Sequence, residues 1–175
     1  MGLSQEEQNL AHLCGLVHDI GKIGLPAGLL EKAGPLTLEE RRHMETHSEI
    51  GERILSKVDD YAEIANIVRH HHERIDGQGY PDGLADGEIP LLSKIIGVAD
   101  AYNAMTSDRP YRDAMPSRVA RLRLAQAVEG QFDTSVVAAF EAMLAGASEA
   151  YRSGAGFSFP LELEKVEPAP EERVA

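Results

Sequence analysis

The chain has 175 residues, 43% of them hydrophobic, and its 17 Lys and Arg against 29 Asp and Glu give a formal net charge of −12. That length suits one domain with a sizeable core, while the acidity repels nucleic acid polymers. With no run of eighteen apolar residues and a polar, acidic start, Met1-Gly-Leu-Ser-Gln-Glu-Glu7, neither a membrane span nor a signal peptide is expected, and the protein reads as cytoplasmic. The single cysteine, Cys14, excludes an internal disulfide.

Ser4 with Glu7 predicts a capping box that opens a helix. Leu10, Leu13, Cys14 and Val17 give that helix a buried stripe, in which Cys14 reads as a small hydrophobe, and Gly21 is its expected stop. His18 and Asp19 then fall on the last turn. They place a nitrogen and an oxygen donor on one short piece of backbone, which suits a hard or borderline metal ion. Neighbouring helical residues diverge by roughly 100°, so Asp19, with two oxygens, is the natural bridge between two ions. A helix-terminal His beside a capping Asp produces the same dipeptide, so the rest of the chain must decide. His12, six residues before His18, faces away and reads as surface.

Residues 24–34, marked by Pro26, Gly28 and Gly34, read as a loop. Thr37 with Glu40 predicts a second capping box, opening one helix through Arg41, His47 and Gly51 to about Ser56. His43 and His47 are spaced to chelate across one turn, although His43, between Arg42 and Glu45, reads as solvated. A third helix from Asp59 or Asp60 carries Ile64, Ile67 and Val68 on its apolar face and ends in His70-His71-His72-Glu73. Three consecutive imidazoles are hard to explain by packing, because each buried ring needs hydrogen-bond partners; a solvated surface is the alternative.

Asp76-Gly77-Gln78-Gly79-Tyr80-Pro81-Asp82-Gly83 is too rich in glycine for regular structure. Its backbone can approach a ligand or partner closely, so it reads as a binding loop. Leu91 to Ser107 is strongly helical. Asp100 interrupts its apolar run, where an unpaired carboxylate costs on the order of several kcal/mol, and so calls for a cation. Asp108-Arg109-Pro110-Tyr111-Arg112 presents two guanidinium groups at a turn suited to phosphate oxygens. Pro116-Ser117 opens a helix to about Glu129, and Asp133 caps another through Leu144. With no strand signal or repeat, the expected fold is all-α, a domain over residues 1–152 followed by a loosely ordered Pro/Glu-rich tail, 153–175.

Taken together, His18-Asp19-Ile20-Gly21-Lys22, His47-Ser-Glu-Ile-Gly51, His71-His72-Glu73-Arg74 with Asp76-Gly77-Gln78-Gly79-Tyr80-Pro81, Ala99-Asp100-Ala101-Tyr102-Asn103-Ala104-Met105-Thr106 and Arg109-Pro110-Tyr111-Arg112 resemble the HD-GYP family. This is a branch of the HD superfamily of metal-dependent phosphohydrolases, and the motifs stand in its order over about residues 3–145. The resemblance implies a helical bundle around two divalent metal ions, three in some members, and hydrolysis of the bacterial second messenger cyclic di-GMP to pGpG, GMP or both.

It further implies His18, Asp19, His47, His71, His72 and Asp100 as metal ligands, with Asp19 bridging. Lys22 and Arg112 would hold phosphate, Lys22 would also stabilise developing negative charge, and Arg109 and Asn103 would lie beside the substrate. Asp76, Gly77, Gly79, Tyr80 and Pro81 would form a loop for a partner such as a diguanylate cyclase domain. A donor set of His and Asp without thiolate favours Fe or Mn, with Ni, Co and Zn admissible.

Two departures from the family pattern stand out. The family carries a further helix before the position of Ser4, supplying a His and in three-metal members a Glu, and this sequence begins after it; one ion would then bind more weakly, and an uncovered apolar face would favour a homodimer. Asn103 stands where many members have Asp, keeping an acceptor oxygen without the charge. The competing readings are a phosphohydrolase for another nucleotide and a catalytically impaired cyclic di-GMP sensor or docking module.

Overall fold

The computed structural model describes residues 1–108 and 113–152. Local chemistry sets its first element. Helix α1 (Gln5–Val17) opens on the expected capping box: the Glu7 N–H donates to Ser4 Oγ and the Ser4 N–H to the Glu7 carboxylate. The helix does not run to Gly21 but stops at Val17, with His18 as its cap, and the chain tightens into a 3₁₀ turn over Ile20–Gly24. Packing decides this. A Cβ on Gly21 would lie 1.9 Å from the His47 carbonyl oxygen and 2.5 Å from the Gly51 nitrogen, so glycine lets the turn lie directly on a later helix.

Residues 24–34, expected as a loop, contain a one-turn helix α2 (Ala27–Leu30) that buries Leu29. The single helix expected from Thr37 to Ser56 is two, α3 (Leu38–Glu45) and α4 (His47–Leu55), broken at Thr46. Side chains account for the break. The Thr46 hydroxyl donates to the His43 carbonyl and His47 Nδ1–H to the Met44 carbonyl, both at 2.7 Å. Those are the acceptors that the backbone N–H groups of residues 47 and 48 would use in a continuous helix.

The remaining helices are α5 (Ala62–Arg69), α6 (Leu91–Thr106), α7 (Ser117–Gln126), α8 (Thr134–Gly146) and the short α9 (Glu149–Arg152). Two apolar clusters hold them together, and α6 belongs to both. Leu92 and Ile96 join Cys14, Leu55, Ile64, Ile67 and Val68 in the first. Val98 and Tyr102 join Ala120, Leu124, Val136, Val137 and Leu144 in the second. The helix that carries Asp100 is thus anchored from two sides. Helix α7 ends short of Glu129, because the Ala127 carbonyl accepts from both Gln131 and Phe132 in a turn where Glu129 adopts φ 66°. Among the described residues there is no strand, only isolated bridges, and the fold is all-α as expected. No described helix is long and apolar enough to cross a membrane.

Asp133 caps α8 as expected, its Oδ1 accepting from the N–H groups of Ser135 and Val136. The Ser135 hydroxyl, these amides and Lys94 hold its carboxyl down at about 2. Because the folded value lies below the ordinary one, the unfolded chain binds more protons between the two. The cap's contribution is therefore present above about pH 3.8 and lost as pH falls through about 2. Asp133→Ala is expected to cost about 1 kcal/mol, lowering Tm by roughly 2–4 °C at neutral pH. Thermal melts of both proteins between pH 7 and pH 3 should show the gap beginning to narrow at the acid end.

Candidate metal centre

Each inward-facing side chain comes from an element end or from the middle of α6. His18 caps α1, Asp19 opens the 3₁₀ turn, His47 is the first residue of α4, and His71 and His72 follow α5. The donor atoms of His47, His71 and His72 lie within 4.8 Å of one another, as do those of His18, Asp19 and His71, so His71 joins the two groups. Asp19 spans the gap on the other side, one oxygen 3.5 Å from His18 Nε2 and the other 3.6 Å from His47 Nε2. Asp100 Oδ1 stands 3.7 Å from His18 Nε2.

Backbone carbonyls orient three of the rings. His18 Nδ1 donates to Gly15 O at 2.7 Å, His47 Nδ1 to Met44 O at 2.7 Å and His71 Nδ1 to Val68 O at 2.6 Å. A carbonyl oxygen only accepts, so Nδ1 carries the proton, and in the neutral ring Nε2 is left as a bare lone pair. His47 Nε2 and His71 Nε2 then face each other at 3.4 Å with no proton between them, an arrangement that repels unless a cation sits nearby. His18 Nε2 is buried with no hydrogen-bond partner among the described residues, its carboxylate neighbours lying beyond hydrogen-bond range. Rings fixed through Nδ1 with Nε2 turned inward are how metal-ligating histidines are commonly held.

The electrostatics agree. Burial above all holds the His71 imidazole at about 4, and burial likewise pushes His47 and His72 below their ordinary value. All three are neutral at pH 7, the form that binds a metal. At His18 burial acts in the same direction, but Asp100, the Gly15 carbonyl and Asp19 outweigh it and raise its proton affinity. Burial would raise both carboxyls. Instead Lys22, whose Nζ lies 2.6 Å from Asp19 Oδ2, keeps Asp19 low, and His18 and His72 keep Asp100 low. Two anions, four imidazoles and no thiolate fit divalent transition metal ions.

Not every residue singled out in the sequence meets the others here. Asn103, one turn beyond Asp100 on α6, is exposed and accepts from the Ser107 hydroxyl. His12 and His43 are exposed, as expected. Arg109 and Arg112 lie outside the described residues, as does the tail 153–175. His70, the first of the three consecutive histidines, turns away and bonds the Asn66 carbonyl and Asp82, which itself accepts from Arg69 Nε and Nη2. In the glycine-rich loop, Asp76 pairs with Arg74 and accepts the Gln78 N–H, and the Gly77 N–H donates to Arg74 O, so both residues brace the loop. Gly79 is required by close approach, since a Cβ there would lie 2.4 Å from the Arg74 nitrogen. Pro81 follows it after a cis bond to Tyr80.

Tyr80, expected as a loop residue for a partner, and Glu73, quoted only within a motif, both shape the walls of the centre. The Tyr80 ring lies over His72, centroids 4.8 Å apart at 32°. Glu73 accepts three backbone N–H groups, from Asp82, Gly83 and Leu84 at 2.7 to 3.1 Å, and so pins the far side of the loop. Glu73→Ala is expected to destabilise the protein by about 2 kcal/mol and to speed hydrogen exchange at the amides of residues 82–84; protection left unchanged there would contradict this bracing role.

A hollow of about 510 Å³ opens onto the centre, with Lys22, His72 and Asp100 on its polar side and Leu29, Leu36 and Met44 on its apolar side. A family profile described as HD domain matches residues 1–136. The chain belongs to the HD domain family. The HD-GYP resemblance of its motifs agrees with that membership. Among HD domain relatives, the cyclic di-GMP phosphodiesterase PA4108 of Pseudomonas aeruginosa is 44% identical over 131 residues, 74% of this chain and 31% of that protein. The 3'3'-cGAMP-specific phosphodiesterase 1 of Vibrio cholerae is 42% identical over 115 residues, 66% of this chain and 27% of that protein. The chain spans less than a third of the length of either. The HD-GYP-type protein Bd1817 of Bdellovibrio bacteriovorus has the same fold, with a TM-score of 0.63 at 20% identity over 82% of this chain and 46% of that one.

Proposed function

We propose that this chain is the catalytic part of a metal-dependent phosphodiesterase that hydrolyses a cyclic dinucleotide, cyclic di-GMP foremost, to pGpG, GMP or both. The observation that carries this reading is the set of inward-turned Nε2 atoms, one orphaned and two face to face, beside two half-buried carboxylates. His18, Asp19, His47, His71, His72 and Asp100 would hold two divalent ions, with a third in some settings, and Fe or Mn suits the oxygen and imidazole donors ahead of Ni, Co or Zn. Such ions supply Lewis-acid charge at phosphorus-bound oxygens and a water of lowered pKa.

The protein's own groups do the rest. Asp19 spans the two donor groups and keeps them in register. Lys22, already 2.6 Å from Asp19, brings the ammonium that stabilises charge developing on the phosphate. Asn103, Arg109 and Arg112 would contact the substrate. We read residues 1–152 as the domain, since the Arg152 carbonyl accepts from Tyr102 of α6 and so closes its end. The Asp76 to Pro81 loop would receive a diguanylate cyclase domain, and a homodimer is a further reading of the exposed Leu16 and Ile23.

Elemental analysis and turnover of cyclic di-GMP on one sample, after loading with Fe or Mn under anaerobic conditions, tests the whole. About two ions per chain with hydrolysis is the expected result. A chain that takes up no metal sinks the proposal, and tight binding without turnover would make it a sensor instead.

A further inference from the structure

Behind the Tyr80 and His72 rings lies a second hollow, of about 560 Å³, lined in part by the glycine-rich loop. It shares those two rings with the first hollow, so the ring pair divides two spaces that both border the candidate metal centre. The first space has an apolar wall. The second is polar, lined by Arg41, Glu45, Arg74, Gln78 and Gln131.

A cyclic dinucleotide has two bases on one phosphate ring. With its phosphates at the metal centre, such a ligand would place one base on each side of the shared rings.

The polar side carries a definite chemical preference. Arg41 Nε holds Glu45 Oε1 at 3.2 Å across one turn of α3, and Glu45 Oε2 makes no hydrogen bond among the described residues. Arg74 is likewise set in place by Asp76. An ionised carboxylate only accepts, and a guanidinium only donates. Guanine presents N1–H and N2–H₂ side by side as donors, with O6 as acceptor next to them. Adenine offers a bare N1 at the same place, which a carboxylate repels.

Resting on the phosphodiesterase reading, we infer that the Glu45 and Arg41 hollow is a specificity subsite for a guanine base, with Glu45 accepting from its N1–H and N2–H₂.

Rapid-mixing measurements of binding to metal-loaded protein, completed before turnover, with cyclic di-GMP, cyclic di-AMP and cyclic di-IMP test it. Hypoxanthine lacks only the N2 amine, so this arm needs no variant. The wild-type protein is expected to bind cyclic di-GMP on the order of tenfold more tightly than either competitor, the size of one good base-edge pair. In Glu45→Gln the preference over cyclic di-AMP should fall by about the same factor, because the amide can also donate to adenine N1. Equal binding of the three ligands by the wild-type protein overturns the inference, and so does an unchanged preference in the folded variant. Hydrolysis of bis(p-nitrophenyl) phosphate, a diester without bases, is measured alongside. No hydrolysis with the guanine preference intact would refute the phosphodiesterase reading and leave this subsite standing; hydrolysis without any preference would do the reverse.

Discussion

Asp19→Ala is expected to abolish turnover of cyclic di-GMP and to strip metal from the protein. Asp19 is the residue whose two oxygens approach both groups of donors, one near His18 and the other near His47. Removing it does more than delete a ligand. Lys22 loses its partner at 2.6 Å, so a positive charge is left beside imidazoles that were poised for a cation. Metal ions in such sites supply several kcal/mol of transition-state charge stabilisation, and at 1.36 kcal/mol per decade a loss of about 10³-fold or more follows. Elemental analysis and turnover of the variant, next to Asp19→Asn as a shape-preserving control, check this. A variant that keeps both its metal and its rate would remove Asp19 from the mechanism.

Gly21→Ala should be the most damaging glycine-to-alanine change among the described residues. The added Cβ meets the carbonyl oxygen of His47 and the nitrogen of Gly51, both backbone atoms, so no side chain can rotate out of the way. The 3₁₀ turn and α4 would have to separate. Overpacking of this kind costs about 3 kcal/mol or more, which lowers Tm by roughly 6–12 °C for a domain of this size. The same separation moves Asp19 and Lys22 away from His47, so metal content and activity should fall together with stability. A thermal melt combined with metal analysis reads both effects, and an unchanged melt with full metal would mean that the turn does not hold the centre together.

Much of this architecture was legible before the structure. The capping boxes at Ser4 and Thr37 and the cap at Asp133 depend on groups two or three residues apart, and all three form as expected. The apolar face of α5, with Ile64, Ile67 and Val68, likewise ends up buried. The break at Thr46 was not legible, because two side chains compete there for carbonyls that an uninterrupted helix would have used. Nor was the division of labour among the three consecutive histidines. His70 is drawn outward by Asp82, twelve residues on, while His71 and His72 turn toward the centre.

The amino-acid sequence by itself determined where helices begin and which donor types are available, because caps, stripes and ligand chemistry reside in single residues or within one helical turn. Tertiary structure alone decided which nitrogen of each imidazole faces inward, that Glu73 and Tyr80 shape the walls, and that Glu45 meets Arg74 and Gln131 around one hollow. Those outcomes depend on carbonyls, rings and carboxylates brought together from separate helices, and no local preference of the chain encodes such meetings.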